Sequence, residues 1–204
     1  MVDILASSQE LQPVNYYINN PHARMKIISG QSVGLMVDIQ EKLVPHMHKY
    51  QVLIKNTEKL IRGLKILDVP LITTQQYTKG LGPTIDVIEQ YLSGINKIEK
   101  LTFSCCGEEN FMHELNRHNR KFIIIAGIEA HVCVLQTTAD LIASGYYPVI
   151  VKDCISSRKP EDKKSAIARM RDEGAVITTF ESILFELCQV AGTDRFKEVS
   201  KIVK

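Results

Sequence analysis

Short unbroken apolar runs alternate with stretches whose apolar residues recur every three or four positions, from residue 33 to the end of the chain. Val33-Gly34-Leu35-Met36-Val37, Pro70-Leu71-Ile72-Thr73-Thr74, Phe122-Ile123-Ile124-Ile125-Ala126, Tyr147-Pro148-Val149-Ile150-Val151 and Ala175-Val176-Ile177-Thr178-Thr179 read as strands of a parallel sheet covered on both faces. Asn96-Lys97-Ile98-Glu99-Lys100 is a weaker extended segment. Between them, 52–67 carries Ile54, Leu60, Ile61, Leu64 and Leu67 at helical spacing. Residues 134–142 put Val134, Leu135, Thr138, Leu141 and Ile142 on one face, with Gly145 as the stop. A third helix opens on Pro160 with Glu161 and Asp162 in its first turn and closes before Gly174. Shorter amphipathic stretches cover 85–92, 181–189 and 195–203, and His113 and His118 fall on a further, surface-like helix. The alternation predicts a doubly wound, three-layer α/β/α fold, Rossmann-like, around a mostly parallel sheet of about six strands. Residues 1–30 are weakly patterned and broken by Pro13, Asn19-Asn20-Pro21 and Gly30. They are expected to form an N-terminal arm packed on the domain or on a partner subunit, with 31–204 as a single domain.

Composition narrows the function more than the fold. The 204 residues are 45% hydrophobic and 24% charged, ordinary for a soluble globular protein. A net charge of +2 is too small to argue for a nucleic-acid surface. No apolar run approaches the roughly 20 residues of a membrane span. The first residues lack a basic start followed by an apolar core, so they read neither as a secretory signal nor as a good transit peptide. Cys105, Cys106, Cys133, Cys154 and Cys188 are odd in number and show no CxxC or Cys/His metal spacing. An intracellular, cytoplasmic protein without a disulfide framework is expected, with mitochondrial association left open.

Candidate chemistry gathers where the strands end. Asp38 closes the first strand, the Gly/Pro-bearing loop 75–83 follows the second, Lys100 ends the weak one, and GIEAHVC leads out of the fourth toward a helix. Carboxyl ends of parallel strands are where open α/β sheets place their sites. Cys133 would sit at or near a helix N-terminus, where backbone N–H groups and the helix dipole favour a thiolate. Each residue alone has a plainer reading: Asp38 as a turn cap, Lys100 as a surface charge, Cys133 as a small buried apolar group.

Together they resemble a known family. LMVDIQEKL around Asp38, KIEKLTFS around Lys100 and AGIEAHVCVLQTTADLIASGY around Cys133 are similar to the motifs of isochorismatase-like cysteine hydrolases. TTQQYTKGLGPT, VKDCISSRKPEDK and GAVITTFESILFEL resemble the isochorismatase domain-containing subgroup, and the likeness covers roughly residues 30–190. The resemblance implies a catalytic triad in which Cys133 attacks an electrophilic carbon, Asp38 is the general base and Lys100 stabilises the charges. It also implies an oxyanion hole from the backbone N–H groups of Glu129 and Cys133, reached through a cis peptide between Ile128 and Glu129. The implied activity is cofactor-free hydrolysis of a small amide or related C–N or ester-like bond through a thioester-type intermediate. A homo-oligomer is implied as well.

Departures from the family matter too. Nicotinamidases of this family bind a metal through Asp and His, whereas TTQQYTKGLGPT has neither, so no metal is expected. His46 and His48 on a probable loop, like His113 and His118, are read as solvent-facing. Gln40, Gln76, Tyr77, Phe103 and His131 are candidate substrate-pocket walls from their positions beside the motifs. Cys105 and Cys106 are read as pocket-side or packing residues. Two other roles compete: an interaction or scaffold protein of the same fold, and a nucleic-acid-associated protein such as a ribonuclease. The last has only mild basicity and Lys152, Arg158, Lys159, Lys163 and Lys164 behind it, a cluster more simply read as a solvated helix start.

Overall fold

Mostly apolar segments three to ten residues long, broken by glycine and polar turns, build six strands in a computed structural model that describes residues 26–204. They are β1 (Ser32–Val37), β2 (Leu71–Gln76), β3 (Lys97–Lys100), β4 (Phe122–Ile128), β5 (Tyr147–Ser156) and β6 (Val176–Thr178). All neighbouring pairs are parallel, in the order β3-β2-β1-β4-β5-β6. Eight helices among the described residues connect and cover them: α1 (Tyr50–Ile66), α2 (Thr78–Leu81), α3 (Asp86–Glu89), α4 (Glu109–His118), α5 (Leu135–Ala143), α6 (Pro160–Asp172), α7 (Phe180–Cys188) and α8 (Asp194–Val203). The doubly wound α/β architecture read from the periodicity is the one observed. Most of the arm expected over 1–30 lies outside the described residues.

Alternation along the central strands divides the interior in two. Ile124, Ala126 and Ile128 of β4 face a core shared with Leu60, Ile61 and Leu64 of α1, Ile183 and Leu184 of α7 and Val199 of α8. Ile123 and Ile125 face the opposite layer, with Phe111 and Leu115 of α4, Leu141 of α5 and Met170 of α6. Period-two side-chain placement makes a strand buried on both sides read as one continuous apolar run.

Several boundaries differ from the sequence expectation. β5 runs on to Ser156 because Lys152 and Asp153 interrupt only the apolar pattern. Lys152 is exposed, and the Asp153 carboxylate accepts the Phe180 N–H at 2.9 Å at the start of α7. A shift in the β4–β5 register between Ile125 and Gly127 accommodates the extra length. The amphipathic stretch at 85–92 forms a helix only over Asp86–Glu89.

Candidate active site

The chain winds outward from β1 through β2 to β3, then returns to β4 and winds the other way. Asp38 leaves β1 and the segment carrying Cys133 leaves β4, so the two flank the point where the strand order reverses. In open sheets such a crevice is the usual ligand site. β1 and β4 come unusually close there. A Cβ on Gly127 would lie 2.1 Å from the Val37 carbonyl oxygen, and Gly127 has φ +127°, so only glycine fits. Asp38 follows at once with φ +50°, a left-handed turn that Asp tolerates better than most residues.

The Ile128–Glu129 peptide is cis. Beyond it, Ala130–Val134 is one turn of π-helix, and α5 starts only at Leu135. Cys133 therefore lies in a widened turn and not in the first turn of an α-helix. Such π segments are frequent at functional sites.

Lys100 and Asp38 make a buried ion pair, Nζ to Oδ2 2.7 Å, with both side chains at 0% exposure. The pair is in contact but out of hydrogen-bond alignment, and Oδ2 has no hydrogen-bond donor among the described residues. The other oxygen, Oδ1, accepts the Thr74 hydroxyl proton at 2.8 Å. Nζ donates to Gln76 Oε1 at 2.7 Å and faces the carbonyls of Phe103 at 3.0 Å and Thr102 at 3.2 Å. Burial works against the Lys100 ammonium, yet the negative charge of Asp38 beside it, with the two nearby thiols, holds its pKa above the ordinary value.

Cys133 is buried and interacts with both charges. Burial, then the Asp38 charge, push its thiol up to about 12, with Lys100 pulling the other way. The resting group is thus a thiol facing a carboxylate, unlike the thiolate expected from a helix N-terminus. Cys105 is fully buried beneath the same cluster. Its N–H donates to Thr137 Oγ1 at 2.9 Å, and burial and Asp38 push its thiol up to about 11.

The remaining sequence candidates divide by depth. Gln40 is completely buried: its Nε2 donates to the carbonyls of Gln76 at 2.9 Å and Gly82 at 2.7 Å, and its Oε1 accepts the Gln76 N–H at 2.7 Å. It cross-braces the 77–83 loop instead of lining an open wall. Gln76 sits against Lys100. Tyr77 and Phe103 are 48% and 55% exposed, with Leu101 at 73% beside them, since the Tyr77 N–H donates to the Lys100 carbonyl at 3.0 Å. His131 Nδ1 lies 2.9 Å from Ser157 Oγ, and the Glu129 carboxylate accepts Arg158 Nε at 3.1 Å. Sequence reasoning missed Thr74, although it shares a strand face with Gln76 two positions on. Among the described residues no group of three or more His, Cys, Asp or Glu is placed to hold a metal ion. A separate groove of about 640 Å³ lies between β3 and α4, lined by Lys97, Glu99, His113 and His118 among others, and shares no residue with this cluster.

A family model described as the isochorismatase domain matches residues 32–182. The chain belongs to the isochorismatase family. It is 39% identical over 183 residues to isochorismatase family protein 1B of Dictyostelium discoideum, covering 88% of this chain and 89% of that one. Among solved structures, one described as the MAR1 ribonuclease from Caenorhabditis elegans is 34% identical with a TM-score of 0.83, over 88% of this chain and 92% of that one. The YcaC gene product of Escherichia coli, described as an octameric hydrolase of unknown specificity, shares the fold at 20% identity, with a TM-score of 0.80 over 88% and 89% of the two chains.

Proposed function

We propose that the protein is a cysteine hydrolase that cleaves a small amide, or a related C–N or ester-like bond, with Cys133, Asp38 and Lys100 as catalytic residues. One observation carries this reading: a fully buried Asp38–Lys100 ion pair, 2.7 Å across, set against the thiol of Cys133 at the topological switch point. Membership of the isochorismatase family supports it. Asp38 takes the thiol proton as Cys133 Sγ bonds to the carbonyl carbon. The backbone N–H groups of Glu129 and Cys133 receive the tetrahedral oxyanion. Collapse breaks the C–N bond, Asp38 hands its proton to the leaving amine, and a thioester remains on Cys133. Water then gives a proton to Asp38 and attacks the thioester, and the second collapse returns the proton to sulfur as the acid leaves. Lys100, its protons directed at fixed acceptors, acts throughout as a permanent positive charge. The test is a panel of small amides and esters, with intact-mass detection of an acyl-enzyme. Turnover and the adduct should both vanish in Cys133→Ala, and turnover that persisted in that variant would sink the assignment. A panel without turnover, with a stable partner recovered instead, would favour the interaction role.

A second reading is favoured by the 34% identity to a protein described as a ribonuclease. RNA cleavage by the wild type that is lost in Cys133→Ala and Asp38→Asn would move the assignment to it. Absence of RNA binding at every salt concentration would remove it. Self-association is also proposed, supported by the exposed Tyr77, Leu101 and Phe103 on two adjoining loops at the mouth of the site. Light scattering on the purified chain measures it directly.

A further inference from the structure

β2 lies between the strand that delivers Asp38 and the strand that delivers Lys100. Its register puts Gln76 beside Lys100, while the Asp38 N–H donates to the Thr74 carbonyl at 3.3 Å. Residues two apart on a strand share a face, so the side chains of Thr74 and Gln76 point the same way, toward the ion pair. We propose that Thr74 and Gln76 form a two-point clamp of positioning residues, Thr74 on the base and Gln76 on the lysine. This inference rests on the cysteine-hydrolase reading above.

Thr74 is completely buried and has one hydroxyl proton, which goes to Asp38 Oδ1. That oxygen already accepts one hydrogen bond, and Oδ2, which lacks an aligned donor, is the freer acceptor for a proton from Cys133. Cys105 Sγ lies 3.8 Å from Thr74 Oγ1. With Thr74's proton committed to Asp38, that thiol is the one able to donate.

Gln76 acts on the other charge. Its Nε2 donates to the Leu101 carbonyl at 2.8 Å, which turns Oε1 toward Lys100 Nζ. A flipped amide would set its N–H groups against the ammonium. Gln40 grips the Gln76 main chain at both N–H and carbonyl, so the side chain starts from a fixed backbone. Lys100 is thus held at a set distance from Asp38 and cannot swing to the solvent side.

The test needs no substrate. Iodoacetamide labelling of Cys133 in the full-length protein, followed by peptide mass mapping across pH, reports the base-assisted thiol directly. In the wild type Cys133 should label at near-neutral pH, with Asp38 taking the proton as sulfur attacks. Thr74→Val, nearly isosteric, should slow labelling at neutral pH about tenfold, the scale of one charge-assisted hydrogen bond. Thr74→Ser, which keeps the hydroxyl, should restore it. Gln76→Met should also slow labelling at neutral pH about tenfold. Should Thr74→Val not fold, Thr74→Ala carries the same comparison. A merely structural threonine would lower the melting temperature and leave the labelling rate of the folded protein unchanged, and that result overturns the clamp while the hydrolase reading stands. A wild-type Cys133 that resists labelling at every pH would instead overturn the hydrolase reading itself.

Discussion

Asp38 both raises and relieves the barrier to using Cys133. Its charge is the main influence after burial that keeps the sulfur protonated, yet it is also the group placed to take the proton. Asp38→Asn separates the two effects. Without the negative charge, Lys100 acts alone on the sulfur, so the thiol pKa should drop below the wild-type position near 12. On the proposed mechanism hydrolysis should nevertheless fall about 100-fold or more, because that mechanism uses Asp38 as general base. Thiolate absorbance titration and turnover on the same sample check the two halves, and an unchanged or raised thiol pKa would contradict this account. At this scale the sequence was legible only as a set. An aspartate after a strand, a lysine before LTFS and a cysteine after GIEAHV are each ordinary. What distinguished them was their common sheet edge and the motifs around them. Gln40 lies deeper than its place in the sequence suggests, because adjacency to a motif residue fixes neither depth nor direction, and its amide turns inward to Gln76 and Gly82.

Strand ends do most of the positioning. β1, β2, β4 and β5 were readable because burial on both faces demands apolar runs, and β3 was faint because an edge strand needs few. The π turn at Ala130–Val134 was not readable. One residue more per turn leaves the apolar spacing of VCVLQTTADLI compatible with an ordinary helix start. Where β1 and β4 converge, Gly127 is the element-scale requirement. Any side chain there meets the Val37 main chain at 2.1 Å in a backbone conformation that L residues seldom adopt. Gly127→Ala should therefore destabilise the fold by about 3 kcal/mol or more and pull Asp38 and the cis-linked turn apart. Urea unfolding measures the first effect and iodoacetamide labelling of Cys133 the second. A loss under about 1 kcal/mol would mean that the strands can separate cheaply.

The molecule as a whole must hold an ion pair from which water is excluded. Taking both charges out of water is costly, and the contact between them offsets that cost only when each keeps its other partners. Thr74, Gln76 and the carbonyls of Thr102 and Phe103 supply those partners, and the two apolar cores on either side of the sheet supply the rigidity. Lys100→Met alone leaves Asp38 charged and buried, and should cost about 3–5 kcal/mol of stability. The double variant Asp38→Asn/Lys100→Met removes both charges, keeps an acceptor for the Thr74 hydroxyl, and should recover most of that loss while remaining inactive. The pair also sets an alkaline limit. Because the folded pKa of Lys100 lies above its ordinary 10.5, its contribution is complete below that value and is lost as pH rises through the folded pKa. Wild-type stability should therefore decline more steeply above about pH 10.5 than that of the double variant. Denaturant melts of the three proteins at neutral and alkaline pH decide the matter. Equal stability of wild type and Lys100→Met would show that the interior is wetter than the 0% exposure of both side chains implies. The expected pattern would mean that each charge at the switch point is tolerated only because the other stands beside it.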